Sequence, residues 1–144
     1  MSINVYEFKG VVLRNTSVAS YFNNNFKLLD YDVRKNIFSP RAPIYTKVRD
    51  EAPTYYGKNS LVDDCLVADG CVINGNAEGC VIFRDVEIEE GAEVKNSVIM
   101  QGVKIGKGSK IENVILDKDV EIGSERTLIG AHTSPLIISK GEKI

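Results

Sequence analysis

The side chains able to do chemistry in this chain are few and scattered. A single histidine, His132, stands in Gly130-Ala131-His132-Thr133-Ser134. An imidazole can serve as a general base near neutral pH, but one histidine near the end of the last repeat reads as a solvated or cap residue. It also falls short of the three protein ligands that a catalytic zinc needs. Three cysteines, Cys65, Cys71 and Cys80, are odd in number and lack a CxxC pair. That pattern argues against a disulfide framework and against a zinc site. Gly102-Val103-Lys104-Ile105-Gly106-Lys107-Gly108 has the look of a phosphate-gripping loop, but it lacks the GxxxxGKS or GxxxxGKT spacing and opens no helix. No catalytic residue and no metal ligand set is expected from these types and spacings.

The elements that would position such groups announce themselves by repetition. Val81–Ser97 reads VIFRDVEIEEGAEVKNS, Val98–Val114 reads VIMQGVKIGKGSKIENV, and Ile115–Ala131 reads ILDKDVEIGSERTLIGA. The step is 98 − 81 = 17 and again 115 − 98 = 17. Large aliphatics keep the same offsets: Ile82, Ile88 and Val94; Ile99, Ile105 and Ile111; Leu116, Ile122 and Leu128. Val86, Val103 and Val120 keep step as well. An internal spacing of six fits neither a helix of 3.6 residues per turn nor a meander of alternating strands. It fits a coil of three short sides, each offering one aliphatic to a triangular interior before turning a corner. Stacked turns lie about 4.8 Å apart, so each backbone group pairs with the turns above and below. Gly91, Gly102, Gly106, Gly108 and Gly123 suit the corners.

This pattern resembles the hexapeptide-repeat proteins, and that resemblance, not the spacing, implies a left-handed coil against the usual crossover rule. The repeat runs back through Cys65-Leu66-Val67, where 80 − 65 = 15 predicts a corner shortened by two residues between Ile73 and Ala77. The expected fold is therefore mainly β: a left-handed parallel β-helix of about four turns, preceded by a strand and one or two helices. Cys65 and Cys80 share a corner position with Ser97 and Val114, and Cys71 sits where a small inward side chain is wanted, so packing explains all three. Subtracting 17 places Lys104 over Glu87, Lys107 over Glu90 and Lys110 over Glu93, as exposed cross-turn pairs that help fix register.

The first forty residues differ in kind. Val5 to Leu13 reads as a strand; Thr16-Ser17 offers a cap to a helix whose apolar face is Val18, Tyr21, Phe22 and Leu28 or Leu29. Asp32 is expected to cap a second short helix through Phe38, stopped by Pro40. Three parts follow: residues 1–40 as strand and helices, 41–57 as extended linker, and 58–144 as β-helix with a terminal strand or cap at Leu136-Ile137-Ile138. The leading elements are too small to bury their own apolar faces and must pack on the solenoid or on another body.

Composition sets broad limits. The chain is 43% hydrophobic with a net charge of −2. Lys and Arg are interspersed with acids, which points away from nucleic acid. No apolar run is long enough to span a membrane, and Met1-Ser2-Ile3-Asn4 lacks the features of a secretory signal. A reduced, cytoplasmic protein is expected.

Strand, helix with Tyr21-Phe22-x-x-Asn25-x-x-Leu28, then Pro43-Ile44-Tyr45-Thr46 and a β-helix resembles the carboxy-terminal part of bacterial ADP-glucose pyrophosphorylases (glucose-1-phosphate adenylyltransferases). Phe8-Lys9-Gly10-Val11 followed by Ser17-Val18-Ala19-Ser20-Tyr21-Phe22 resembles a family segment, and the details look like the GlgD-type companion subunit. The resemblance covers nearly the whole chain. It implies a role in glycogen biosynthesis, as assembly and allosteric support for a catalytic subunit that joins ATP and glucose 1-phosphate into ADP-glucose. It also implies self-association and a phosphorylated sugar effector near the junction with the catalytic domain. The basic residues there are Arg14, Arg41, Lys47 and Arg49, whose arginines suit phosphate by their forked geometry. The parent family uses Mg2+, but Gly10 stands where catalytic members carry a metal-holding aspartate. The family's Gly-rich triphosphate loop is absent from this sequence, and Met1-Ser2 opening just before a family strand reads as the start of a fragment. Two other readings remain: a hexapeptide-repeat acyltransferase using acyl-CoA, and a structural oligomerisation module.

Overall fold

The structure is a computed structural model that describes residues 3–144. A parallel β-solenoid forms its body, and fifteen short strands fall on three faces. The first face stacks β1 (Tyr55–Tyr56), β4 (Val72–Ile73), β7 (Glu87–Ile88), β10 (Lys104–Ile105) and β13 (Glu121–Ile122). The second stacks β2 (Val62–Asp63), β5 (Asn76–Glu78), β8 (Glu93–Lys95), β11 (Lys110–Glu112) and β14 (Thr127–Ile129). The third stacks β3 (Leu66–Val67), β6 (Val81–Ile82), β9 (Val98–Ile99), β12 (Val114–Leu116) and β15 (Leu136–Ile138). Four turns of chain separate the first strand of each face from its fifth. The first strand, at Tyr55, precedes residue 58 by three positions.

Register follows the repeat. Ile88, Ile105 and Ile122 are ladder partners on the first face, and Val94, Ile111 and Leu128 on the second. The shortened corner lies where the spacing placed it. Tyr55 pairs with Val72 at a step of 17, Val62 with Ala77 at a step of 15, and Ala77 with Val94 at 17 again. The interior is a single aliphatic column in which Ile73, Val86, Ile99, Val103, Ile105 and Leu116 are all fully buried.

The corners repeat too. Asp64, Gly79, Asn96 and Asn113 form one column of left-handed residues, and Gly70, Asp85, Gly102 and Asp119 another. Where glycine and aspartate alternate, the two fit each other. A Cβ added at Gly102 would lie 2.6 Å from the Oδ1 of Asp119 one turn on, so the smaller residue makes room for the larger. Gly106, an expected corner glycine, is needed for space instead: its Cβ would lie 2.7 Å from the Ser124 backbone nitrogen.

The leading segment departs from expectation at two points. No strand forms over Val5–Leu13. The described solenoid strands pair only with one another, and none pairs with this segment; Val5 and Tyr6 are about nine-tenths exposed. Amide side chains hold its end instead. Asn36 Oδ1 accepts from the Val11 backbone N–H at 3.1 Å, and Asn24 Nδ2 donates to the Arg14 carbonyl at 3.0 Å. The second correction concerns a cap. Helix α1 (Val18–Lys27) begins at Ser17 as expected, in a reciprocal box with Ser20. Helix α2 (Tyr31–Ile37) is capped by Asp30, two residues before the expected Asp32. The Asp30 carboxylate accepts from the Asp32 and Val33 N–H groups at 2.8 and 3.1 Å, so Asp32 falls inside the first turn, where its charge still favours the helix dipole. No helix among the described residues is long and apolar enough to cross a membrane.

Helix α1 packs on the third face. Phe22 is completely buried against Val98 and Ile115, with Tyr21, Phe26 and Met100 around them. This explains why strands of that face carry apolar residues in adjacent positions: one side chain points into the column, its neighbour under the helix.

Candidate functional site

The groups that could do chemistry gather where the helices meet the first turns. Arg34 of α2 reaches back to α1, and its Nη1 donates to the Leu28 carbonyl at 2.7 Å and to that of Leu29. It thereby satisfies carbonyls left open at the helix end. The turn it fixes overhangs a cleft of about 710 Å³ whose walls include Arg34, Tyr56, Ser60, Asp64 and Cys65. On the other side of the same turn, Asn23, Phe26, Lys27, Asn96 and His132 line a second cleft of about 490 Å³.

His132 reaches that place through an insertion. Ile115 pairs with Ile137 at a step of 22 rather than 17, so the corner before β15 holds five extra residues. The added loop closes with paired backbone bonds between Ala131 and Ser134. It lays the imidazole against α1, with ring centres 6.1 Å from Phe22 and 6.5 Å from Phe26. The expected cap role matches this contact, which the 17-residue repeat alone did not signal.

The four expected effector residues are placed apart from these clefts. Arg14, Arg41, Lys47 and Arg49 are all exposed, in stretches without regular structure. Among the described residues, none of the ion pairs and none of the side-chain hydrogen bonds joins one of the four to another. Arg34 is the basic residue that does line the junction cleft, and sequence reasoning missed it. Its position in α2 was the only available signal.

At Gly10 no side chain is present to hold a divalent ion, and a Cβ there would collide with the Phe8 ring. No group of three or more His, Cys, Asp or Glu among the described residues is arranged to hold one.

The cysteines follow the corner ladder. Cys71 and Cys80 are buried, and Cys65 is half-buried at the wall of the larger cleft. Ser97 shows what this corner asks for: its Oγ donates to the Lys95 carbonyl at 2.6 Å and accepts from the Val114 N–H at 3.1 Å. Cys65 repeats the arrangement two turns earlier, donating to the Asp63 carbonyl and accepting from the Cys80 N–H at 3.3 Å. The neighbouring Cys80 thiol holds the Cys65 thiol below its usual range, while Cys80, whose own thiol donates to the Glu78 carbonyl at 3.2 Å, is pushed well above it by Cys65 and by burial. Burial also raises Cys71.

The cross-turn ion pairs expected at Lys104–Glu87 and Lys107–Glu90 are present at 3.3 and 3.5 Å. Lys110 and Glu93 are register partners without a direct contact within ion-pair distance. Two further pairs were missed: Lys95–Glu78 at 3.2 Å and Lys143–Glu121 at 2.9 Å.

Stacked hexapeptide turns, corners of left-handed Asx and Gly, and the matched span together define the class. Residues 48–134 match the family described as GlmU-like, C-terminal hexapeptide, and the chain belongs to it. Within that class its likeness is to proteins of glycogen biosynthesis. It is 42% identical to the glycogen biosynthesis protein GlgD of Bacillus subtilis over 95 residues, 66% of this chain and 28% of that protein. It is 49% identical to GlgD of Geobacillus stearothermophilus over 71 residues, 49% of this chain and 21% of the relative. Glucose-1-phosphate adenylyltransferase of Acetivibrio thermocellus is 31% identical over 96 residues, 67% of this chain and 22% of the enzyme. The match spans about a quarter of the length of these relatives. The resemblance to the carboxy-terminal part of glucose-1-phosphate adenylyltransferases, and to GlgD, is thus confirmed, over up to about two thirds of the chain.

Proposed function

We propose that this chain is the β-helix domain, with its leading helices, of a GlgD-like subunit that assembles with and supports a catalytic glucose-1-phosphate adenylyltransferase in glycogen biosynthesis. The observation that carries this reading is the difference in likeness: 42–49% identity to the two GlgD proteins against 31% to the adenylyltransferase. The fold supports it. The solenoid is filled with aliphatic side chains, and Gly10 carries no side chain at the position where the resemblance implies a metal-holding aspartate in catalytic members. The reading places the chain in the cytoplasm, in an even-numbered assembly.

Co-purification tests it. The chain, immobilised and exposed to purified catalytic subunit from the same host, is expected to retain that subunit. A chain that ignores the subunit, or that forms trimers binding acyl-CoA, would defeat the proposal. Effector binding is the finer part. The family resemblance suggests an effector near the junction with the catalytic domain, so replacing Arg41 and Arg49 by alanine in the full-length subunit is expected to weaken activation by phosphorylated sugars. An unchanged activation curve would remove these residues from the effector site.

A further inference from the structure

We propose that Cys65 and Cys80 form a dithiol modification site at the open end of the solenoid, with Cys65 as the attacking thiol towards low-molecular-mass disulfides and Cys80 as the resolving thiol. The pair is invisible as a motif because its members stand 80 − 65 = 15 residues apart. The shortened turn brings them into direct register, since Leu66 pairs with Val81 and their predecessors stack. Stacked turns lie about 4.8 Å apart, inside the span of about 4.4 to 6.8 Å between Cα atoms that a disulfide bridges.

The two thiols differ in the ways the chemistry requires. Cys65 lines a cleft of about 710 Å³ that opens to solvent, while Cys80 is fully buried behind it. The sulfur of Cys65 accepts the Cys80 N–H at 3.3 Å, and hydrogen bonding of this kind favours the thiolate. The charges that bear on Cys65 are Asp64 and Asp63 on its own corner, which oppose the thiolate; Arg34 of α2 lines the same cleft, its guanidinium held by the Leu28 and Leu29 carbonyls. The neighbouring Cys80 thiol and the Cys80 N–H, which donates to the Cys65 sulfur, hold Cys65 towards the thiolate against the two aspartates and its burial. Cys71 is buried in the column, with its thiol donating to the Phe83 carbonyl at 3.1 Å; it has neither access nor a thiol partner.

The exchange balances in two steps. The Cys65 thiolate attacks one sulfur of a glutathione-like disulfide; a new S–S bond forms, the old one breaks, and one small thiolate leaves and takes up a proton. The Cys80 thiol then gives its proton to solvent and attacks the Cys65 sulfur, closing the Cys65–Cys80 bond and releasing the second small thiol. Two protein thiols are oxidised and one small disulfide is reduced. Because Cys80 is held above the usual thiol range, the second step gains more from rising pH than the first.

The test exposes the reduced chain to excess oxidised glutathione and follows intact mass and peptide maps. The unsubstituted chain is expected to show a transient adduct on Cys65, then an adduct-free product lacking two hydrogens, with Cys65 joined to Cys80. In Cys80→Ser the adduct on Cys65 persists. In Cys65→Ser total adduct formation falls on the order of tenfold, to the rate of the buried Cys71. Serine fills this same corner at Ser97, so both variants are expected to fold, and circular dichroism checks it. Labelling of Cys71 as fast as Cys65 would overturn the proposal. So would an adduct that persists on Cys65 in the unsubstituted chain.

Discussion

The solenoid and the segment that leads into it are built from similar amounts of apolar side chain, yet they treat it in opposite ways. In the solenoid, aliphatics at every sixth position stack into one dry column, and Ile88, Ile105 and Ile111 are at most 1% exposed. In the leading segment Val5, Tyr6, Tyr45 and Val48 are each more than four-fifths exposed. Hydrophobicity alone therefore does not decide burial here. A repeat that supplies a neighbour above and below does, and the leading segment has such a neighbour only where α1 lies on the third face.

The largest test of this difference is made at the middle of the column. Ile105→Ala is expected to cost about 4 kcal/mol, because its neighbours at Ile88 and Ile122 are held by their own ladders and cannot close the gap. Urea unfolding measures it. Since each turn touches only its neighbours, the same truncation at Leu128, partly exposed in the last strand of the second face, is expected to cost less than half as much. Equal losses at the two positions would mean that the column melts as one body.

Phe22→Ala asks the converse question. Phe22 is the one fully buried side chain among the described residues of the leading segment, and its loss is expected to weaken the docking of α1 by about 3 kcal/mol. Amide hydrogen exchange should quicken across Val18–Lys27 while the solenoid strands keep their protection. Loss of protection in β9 and β12 as well would show that the helix is part of the core and not a strap laid over it.

These two sites also mark how far the sequence could be read. Period, register, the short corner at Ile73–Ala77 and two of the ion pairs were legible, because each is a local spacing multiplied by the turn. The Val5–Leu13 strand was misread because strand propensity says nothing about whether a ladder partner exists. The cap at Asp30 was missed because Asp30 and Asp32 both suit it, and only the backbone decides. The junction clefts were out of reach for a different reason. Arg34 and Cys65 reach one cleft and His132 the other through α2, the short turn and the five-residue insertion, three departures from the repeat that the repeat itself cannot announce.

A smaller effect with the opposite sign is expected at a corner. Glu125 stands at φ +57° in the column that holds Gly91 and Gly108 in the turns before it. A side chain in this conformation is strained where glycine is not, so Glu125→Gly is expected to stabilise the chain by about 0.5 to 1 kcal/mol in urea unfolding. A loss of stability would show that the Glu125 side chain, which lies over Gly108, contributes more by contact than its backbone costs.

The smallest effect concerns how the last turn is finished. Lys143 extends the first face beyond β13 by bridging to Glu121, and Ile144 exchanges backbone bonds with Glu121 and Gly123. The hydrogen bond from Lys143 holds the Glu121 carboxyl below the usual carboxylate range, with the lysine's charge adding to it. A depressed value in the folded state means that the unfolded chain binds the proton more readily. The pair's contribution is therefore present above the ordinary carboxylate pKa and fades as pH falls through the lowered folded value. Glu121→Gln should accordingly be slightly less stable than the unsubstituted chain at pH 7, and the two should converge once the pH has fallen below the lowered folded value. Both groups are exposed, so added salt should shrink the gap at pH 7. A gap that ignores both pH and salt would mean that the end of the solenoid is held by the backbone of Lys143 and Ile144 alone. The terminal turn would then depend on the same ladder as the column it closes, with no share for its charges.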